Sequence, residues 1–369
     1  MNIGIDARLL ERKMTGIGRF LKTFLNELPL IDKHNKYFLF TYESIDVYDE
    51  FYTIIKTIKS FLPQKFFSPI WSNFILPGYL KKNKIDLFFS ANQILPLIKI
   101  KDIKYILVLH DVIYKVDNSF HPFIYRKYLQ FFTYFSIRSS DIIITVSEYS
   151  KQDIIKYYSV EENKIKVVYE AVDEDFKILN LTDDEKRDIK ENLNLPEHIV
   201  LYVGVIENRK NIKGILKIAD EVYKIDRNIK FVLIGKIGYG GKNLLKELTT
   251  RENVVYLGNV QDELLKKIYN ISSVFLFPSL YEGFGFPPLE AMNCGLPVLS
   301  SNNTALKEVI GSGGVLHAPD DYNSFVQDIF KLIGDKNFHR EVSNSGIERA
   351  KIFNINRTAK ELVNIFNEL

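Results

Sequence analysis

Cysteine is all but missing: the 369-residue chain holds one, Cys294. That excludes an internal disulfide framework and fits a reducing compartment. No apolar run approaches the ~20 residues a helix needs to cross a bilayer, and Met1 to Asp6 reads as a strand instead of a signal peptide. A cytoplasmic location is the expectation. No stretch is disordered by composition, and the sequence shows no internal repetition. The net charge is only +3, and no nucleic-acid-binding module is recognisable, which argues against nucleic acid as a partner.

What is present is ordinary for a soluble globular protein: 46% apolar and 26% charged residues. The length suggests two domains. Charge is spread unevenly. Residues 1–170 hold 24 Lys and Arg against 18 Asp and Glu, a net of +6, so the remainder carries −3. Nine lysines between Lys56 and Lys104 face only Asp86 and Asp102, interleaved with Phe61, Phe66, Phe67, Trp71 and Phe74. This pattern predicts a basic, aromatic surface for anionic lipid headgroups or a phosphorylated acceptor. A solvated lysine face over an ordinary core is the alternative. In the helix-like run FIYRKYLQFFTYFSIR, which carries Arg126 and Lys127, most rings are expected in the core.

Along the chain β and α patterns alternate, as in parallel sheets flanked by helices. Strands are expected at Asn2–Asp6, Tyr37–Thr41, Asp86–Ser90, Tyr105–Leu109, Ile142–Val146 and Ile165–Tyr169. A second series covers Ile199–Gly204, Phe231–Gly235, Val254–Leu257, Val274–Phe277 and Val298–Ser300. The expected division is an N-terminal Rossmann-like domain over 1–175, a second over 176–350, and a last helix in 351–369 that packs back on the first. Ser147 or Ser150 is expected to cap one helix and Asp320 another.

Chemistry concentrates in FPSLYEGFGFPPLE, Phe277 to Glu290. A buried strand runs into a loop carrying Glu282, Gly283 and Gly285 let backbone approach a ligand, and Pro287 and Pro288 open a helix whose free N–H groups attract anions. Glu282 and Glu290, with seven residues between them, can each accept sugar hydroxyls. The bland alternative makes Glu282 a helix cap and Glu290 a solvated helix residue. In VGVIENRKNIKGIL, Arg209 and Lys210 stand at a helix mouth. Cations there oppose the helix dipole, which points to an anionic ligand such as a diphosphate. GIGRF, with Gly16 and Gly18, follows the first strand, where a glycine turn lets phosphate near the backbone. His110 ends another strand, the edge at which open α/β sheets place ligands; a histidine satisfied by neighbouring backbone is the alternative. Asp173-Glu174-Asp175 spells D-x-D, a metal-holding pattern elsewhere, but it falls at the domain crossover.

The E-x7-E pattern in EGFGFPPLEAMNCGLPV resembles the donor signature of retaining GT-B glycosyltransferases of family four. GIGRF, the V-S-x-x-S segment and the turn around Arg209 and Lys210 match in the right order. The resemblance implies a GT-B fold, two Rossmann-like domains facing across a cleft. It implies transfer of a hexose from a nucleoside-diphosphate sugar to a glycan or lipid-linked acceptor, with retained anomeric configuration and no metal or other cofactor. Arg209 and Lys210 would hold the diphosphate, Glu290 the ribose and Glu282 the sugar. Backbone N–H groups of Gly283, Phe284, Gly285 and Phe286 would meet sugar or phosphate, and Gly16 and Gly18 the donor phosphates or the acceptor. His110 would orient the sugar, with closure of the cleft. GIDARLL, GIGRF and ENRKN look like bacterial mannosyltransferases of surface polysaccharide assembly, which favours GDP-mannose over UDP- or dTDP-sugars. Two departures stand out: Glu170-Ala171 replaces a common Asn-Gly, and Val205 stands where some relatives carry Arg. A sugar-nucleotide epimerase and a non-catalytic nucleotide-sugar binding protein are the rival functions.

Overall fold

A computed structural model describes residues 1–11, 16–47, 50–59 and 64–369. The chain divides into two compact units, Met1–Ala171 with Phe353–Leu369, and Val172–Ile352.

The first unit is a seven-stranded parallel sheet. Its strands are β1 (Asn2–Asp6), β2 (Lys36–Thr41), β3 (Tyr52–Lys56), β4 (Leu87–Ser90), β5 (Lys104–Val108), β6 (Ile142–Thr145) and β7 (Ile165–Val167), in the order β3-β2-β1-β4-β5-β6-β7. Every residue of β4 and β6 is buried, as a parallel sheet covered on both faces requires. Helix α1 (Gly16–Ile31) turns Phe20, Leu21, Phe24, Leu25 and Leu28 inward at helical spacing. The C-terminal helix, Ile355–Asn367, sets Phe366 against Phe24 and Phe89, with ring centroids 6.2 and 5.4 Å apart. Helix α2 spans Phe123–Ser139.

The second unit repeats the plan with six parallel strands. These are β8 (His198–Val203), β9 (Ile229–Ile234), β10 (Val254–Gly258), β11 (Val274–Phe277), β12 (Val298–Ser301) and β13 (Val315–His317), in the order β10-β9-β8-β11-β12-β13. Helix α3 (Ile212–Ile225) buries Ile212, Ile215, Ala219 and Val222 on one stripe. Helices α4 (Phe286–Asn293) and α5 (Thr304–Ile310) follow β11 and β12. In each sheet the strand order reverses at one point, between β1 and β4 and between β8 and β11. The carboxyl ends of the strands flanking such a reversal open a crevice for ligands.

Two strands escape the sequence reading, the edge strands β3 and β13. Asp321, not Asp320, caps the helix Tyr322–Gly334, its carboxylate accepting from the Ser324 N–H at 3.2 Å. Ser147 is the cap of Glu148–Tyr158. The D-x-D carboxylates are used locally: Asp173 accepts from the Asp175 N–H at 3.0 Å, and Asp175 pairs with Lys266 at 3.0 Å.

The aromatic expectations hold only in part. Among the rings between Lys56 and Lys104, Trp71 and Phe67 are core residues and Phe74 is exposed; Phe61 and the Phe66 side chain lie outside the described residues. Trp71 donates its indole N–H to Thr57 at 2.8 Å under the Arg8 guanidinium. Conversely, α2 exposes most of its rings. No helix among the described residues is long and apolar enough to cross a membrane.

Candidate active site

At the reversal in the second sheet, the loops leaving β8 and β11 meet. The β8 loop tightens into a short 3-10 turn, Asn208–Lys210, before Asn211, which takes a left-handed conformation (φ 55°) and accepts from the Gly214 N–H to start α3. That turn gives Lys210 a buried side chain. The β11 loop is tied to it by the Leu280 N–H, which donates to the Arg209 carbonyl at 2.9 Å.

The charges then fall into one cluster. Lys210 Nζ donates to Glu282 Oε1 at 2.5 Å, and Arg209 donates to Glu282 Oε2 at 3.0 Å and to the Tyr281 carbonyl at 2.9 Å. Glu207 holds the other edge of the Arg209 guanidinium at 2.8 Å. Burial works against the Glu282 charge, but Lys210 and Arg209 outweigh it and hold the carboxyl below its usual range. Burial and the neighbouring Arg209 hold the Lys210 ammonium below the ordinary lysine value, against the pull of Glu282. Lys210 also sits 4.8 Å from the Phe277 ring centroid, an arrangement that favours a cation. The cluster thus balances two cations against two carboxylates, with Glu282 shared between Lys210 and Arg209 and Glu207 at the outer edge of Arg209.

Neither the helix-cap reading of Glu282 nor the solvated reading of Glu290 holds. Glu282 is buried and its carboxylate does not cap α4; the N-cap there is Gly285, whose φ of 127° only glycine adopts readily, and where a Cβ would meet Leu306 at 2.9 Å. Glu290, one turn into α4, is also buried and accepts from the Tyr269 hydroxyl at 2.8 Å. Between them, Phe284 is buried with its ring 5.5 Å from that of Phe286.

Thr304 is the residue that the sequence did not single out. Its φ is +50°, a backbone conformation strongly disfavoured for a β-branched side chain. Its hydroxyl accepts from the Glu282 N–H at 3.2 Å, so the strained residue clips the loop that aims the carboxylate. The one legible signal was a β-branched residue opening a helix after Asn302-Asn303. Thr304→Gly is expected to relieve strain and raise Tm by an amount equivalent to about 1 kcal/mol, yet raise the donor KM. Thr304→Ser keeps the hydroxyl and should keep the KM; equal KM values in both variants would remove the clip.

In the first unit, His110 follows the carboxyl end of β5 and is buried. Its Nδ1 lies 3.0 Å from the buried Glu170 carboxylate, and its Nε2 has no hydrogen-bond partner among the described residues. Backbone therefore does not satisfy this histidine. Phe20 of α1 meets the imidazole edge-on at 5.9 Å, which brings the GIGRF helix and His110 together; Gly18 is buried at its start and Gly16 exposed. Glu170, noted in the sequence only as a departure, supplies the histidine's nearest charge.

Two family models match, Glycosyltransferase Family 4 over residues 14–176 and Glycosyl transferases group 1 over residues 183–349. The chain is 31% identical over 270 residues to O-antigen chain mannosyltransferase B of Escherichia coli, covering 72% of this chain and 70% of that one. It is 29% identical over 279 residues to a serotype-specific mannosyltransferase, WbdA, also of Escherichia coli, again over 72% of this chain. It spans about a third of that longer relative, 34%. Among solved structures, a sucrose-phosphate synthase from Thermosynechococcus elongatus superposes with a TM-score of 0.76 at 18% identity, over 100% of this chain and 98% of that one.

Proposed function

Because this chain belongs to glycosyltransferase family 4, with the GT-B fold, we propose that it is a retaining hexosyltransferase that moves mannose from GDP-mannose to a glycan or lipid-linked saccharide in surface polysaccharide synthesis. The observation that carries the reading is the buried Lys210–Glu282–Arg209 cluster at the reversal of the second sheet. In this account the two cations take the donor diphosphate and release Glu282 to the sugar hydroxyls, while Glu290 reaches the ribose. The N–H groups of Gly283, Phe284, Gly285 and Phe286 face the sugar or phosphate.

As the bond from the anomeric carbon to the diphosphate oxygen breaks, negative charge grows on the diphosphate. Cations placed there stabilise the transition state more than the ground state, and we assign that task to Arg209 and Lys210 without a divalent ion. The acceptor oxygen bonds to the anomeric carbon on the face the diphosphate leaves, and its proton passes to a phosphate oxygen, which retains the configuration. On the first unit, His110 Nε2 is assigned to a hydroxyl of the transferred sugar, with Gly16 and Gly18 near phosphate or acceptor. The relatives' names support mannose and polysaccharide assembly, and the basic first unit supports peripheral contact with an anionic membrane.

The test is acceptor-dependent release of nucleoside diphosphate, with the product anomer read by NMR and GDP, UDP and dTDP compared by thermal shift. An α-linked product from an α-linked donor and a GDP shift larger than the others are expected. Donor isomerisation without release sinks the transfer, and an inverted product sinks retention. Glu282→Ala sharpens the assignment: turnover should fall at least about tenfold, a loss of ~1.4 kcal/mol. GDP binding should hold or tighten, because the internal anion is gone. Parallel loss of both would move that carboxylate to the nucleotide.

A further inference from the structure

Helix α2 is built inside out. Its buried positions are Leu129, Thr133, Ser136 and Ile137, two of them polar. Its solvent side carries Ile124 at 82% exposure, Phe123 at 64% and Phe131 at 52%, with Tyr125, Tyr134 and Phe135 also exposed. Exposed positions recur at 124, 127, 131, 134, 135 and 138, a spacing of three and four that lines up one stripe of the helix. Scattered exposed apolar residues are normal, but a contiguous stripe marks an interaction surface. The rings touch one another, Phe131 to Phe135 at 4.8 Å and Tyr134 to Phe135 at 5.4 Å.

The charges select the partner. The seventeen residues FIYRKYLQFFTYFSIRS hold Arg126, Lys127 and Arg138 and not one carboxylate. The cations ride on the rings: Lys127 lies 5.8 Å and Arg126 5.4 Å from the Phe123 centroid, and Arg138 5.1 Å from that of Tyr134. Aromatic and aliphatic side chains interleaved with cations fit the headgroup layer, where rings sink to the acyl boundary and cations meet lipid phosphate. A second copy fits poorly. A two-fold contact sets the same patch on both sides, so Lys127 and Arg138 would meet their own kind with no carboxylate on the helix to pair with. The loop beside α2 continues the theme. Leu95 donates its N–H to Ser136 at 2.9 Å and Leu97 to Asn73 at 2.6 Å, and the neighbours of those anchors, Ile98 and Phe74, are 67% and 78% exposed.

We propose that the outer face of α2 docks on an anionic lipid bilayer, with the helix lying in the interfacial plane. This moves the membrane contact from the lysines between Lys56 and Lys104 to residues 123–138. It rests on the transferase reading only for its purpose, the presentation of a lipid-linked acceptor.

The full chain is sedimented with vesicles of phosphatidylcholine alone or with about a third phosphatidylglycerol. Wild type should partition at least about tenfold better onto the anionic vesicles, an advantage that salt erodes. The Lys127→Glu, Arg138→Glu double variant should lose about tenfold of that partition or more. Phe131→Ser with Phe135→Ser should weaken binding at low and high salt alike. The thermal shift with GDP should stay at the wild-type value in both variants, which shows them folded. A wild type that ignores anionic vesicles overturns the proposal, as do variants that bind like wild type. So does a wild-type dimer in light scattering that the Phe variants turn into a monomer, which would give the face to a second copy. Vesicle binding without any nucleotide response would instead sink the transferase reading and leave this one standing.

Discussion

Lys210→Ala is expected to lower kcat by about 10²–10³-fold, the usual loss when one preorganised group facing developing negative charge is removed. The side chain is buried, its ammonium lies 2.5 Å from Glu282, and the Phe277 ring stands beneath it. A cation so fixed needs no reorganisation as the diphosphate gathers charge, and in a dry site its field is little screened. Donor KM should also rise, by about tenfold or more, since the ground-state donor already carries charge on its phosphates. Stability should fall less than the 3–5 kcal/mol typical of breaking a buried ion pair, because Glu282 keeps Arg209 at 3.0 Å. Circular dichroism melting separates the two effects: kinetics measured well below the variant's Tm report the lost cation alone. Lys210→Arg should not restore full activity, because a planar fork does not replace a point charge in a packed seat. Unchanged turnover in Lys210→Ala would take the leaving diphosphate away from this cluster.

Most of the fold is legible in the sequence, and the misses have physical causes. The inner strands of both sheets are short apolar runs bounded by turns, a pattern that periodicity reads well. The edge strands β3 and β13 are only partly buried, so their composition resembles that of loops. Arg209 and Lys210 stood out because the cost of cations at a helix mouth is a local property, and Glu282 because its loop and its spacing from Glu290 are read from contiguous sequence. Their mutual pairing was not legible: it joins loops more than 70 positions apart, with Lys210 and Glu282 separated by 72. The same limit hid the approach of His110 to Glu170, which follow strands β5 and β7 on either side of β6. Aromatic rings misled in both directions. Trp71 and Phe123 stand among similar neighbours in the sequence, yet one is wholly buried and the other 64% exposed. Side-chain type gives the area available for burial, and only tertiary contact decides what covers it.

Arg8→Ala should destabilise the first unit by about 3–5 kcal/mol, the expected result of stranding a buried carboxylate. Arg8 and Asp6 are 4% and 1% exposed. The guanidinium grips Asp6 with both edges, Nε to Oδ1 at 2.7 Å and Nη2 to Oδ2 at 2.6 Å. Its remaining nitrogen donates to Tyr42 and Ser68, both at 2.9 Å, and the plane stacks 3.6 Å above Trp71. Burial works against the Arg8 charge and Asp6 more than compensates, so its pKa lies above the ordinary arginine value. Without the Arg8 side chain, Asp6 keeps the backbone N–H of residue 8 at 3.3 Å and the Asn92 amide at 3.4 Å, both too long and too weak to replace a bidentate cation. Arg8→Lys should recover only part of the loss, since an ammonium reaches Asp6 but forms neither the fork nor the stack. Asp6→Asn with Arg8→Met removes both charges and should cost less than the Arg8 change alone, with a coupling above about 1 kcal/mol in a double-mutant cycle. Chemical denaturation followed by tryptophan fluorescence suits the measurement, because Trp71 is the chain's single tryptophan and lies in the cluster. A loss under about 1 kcal/mol would mean that water reaches Asp6, and Arg8 would then be no more than a surface pair.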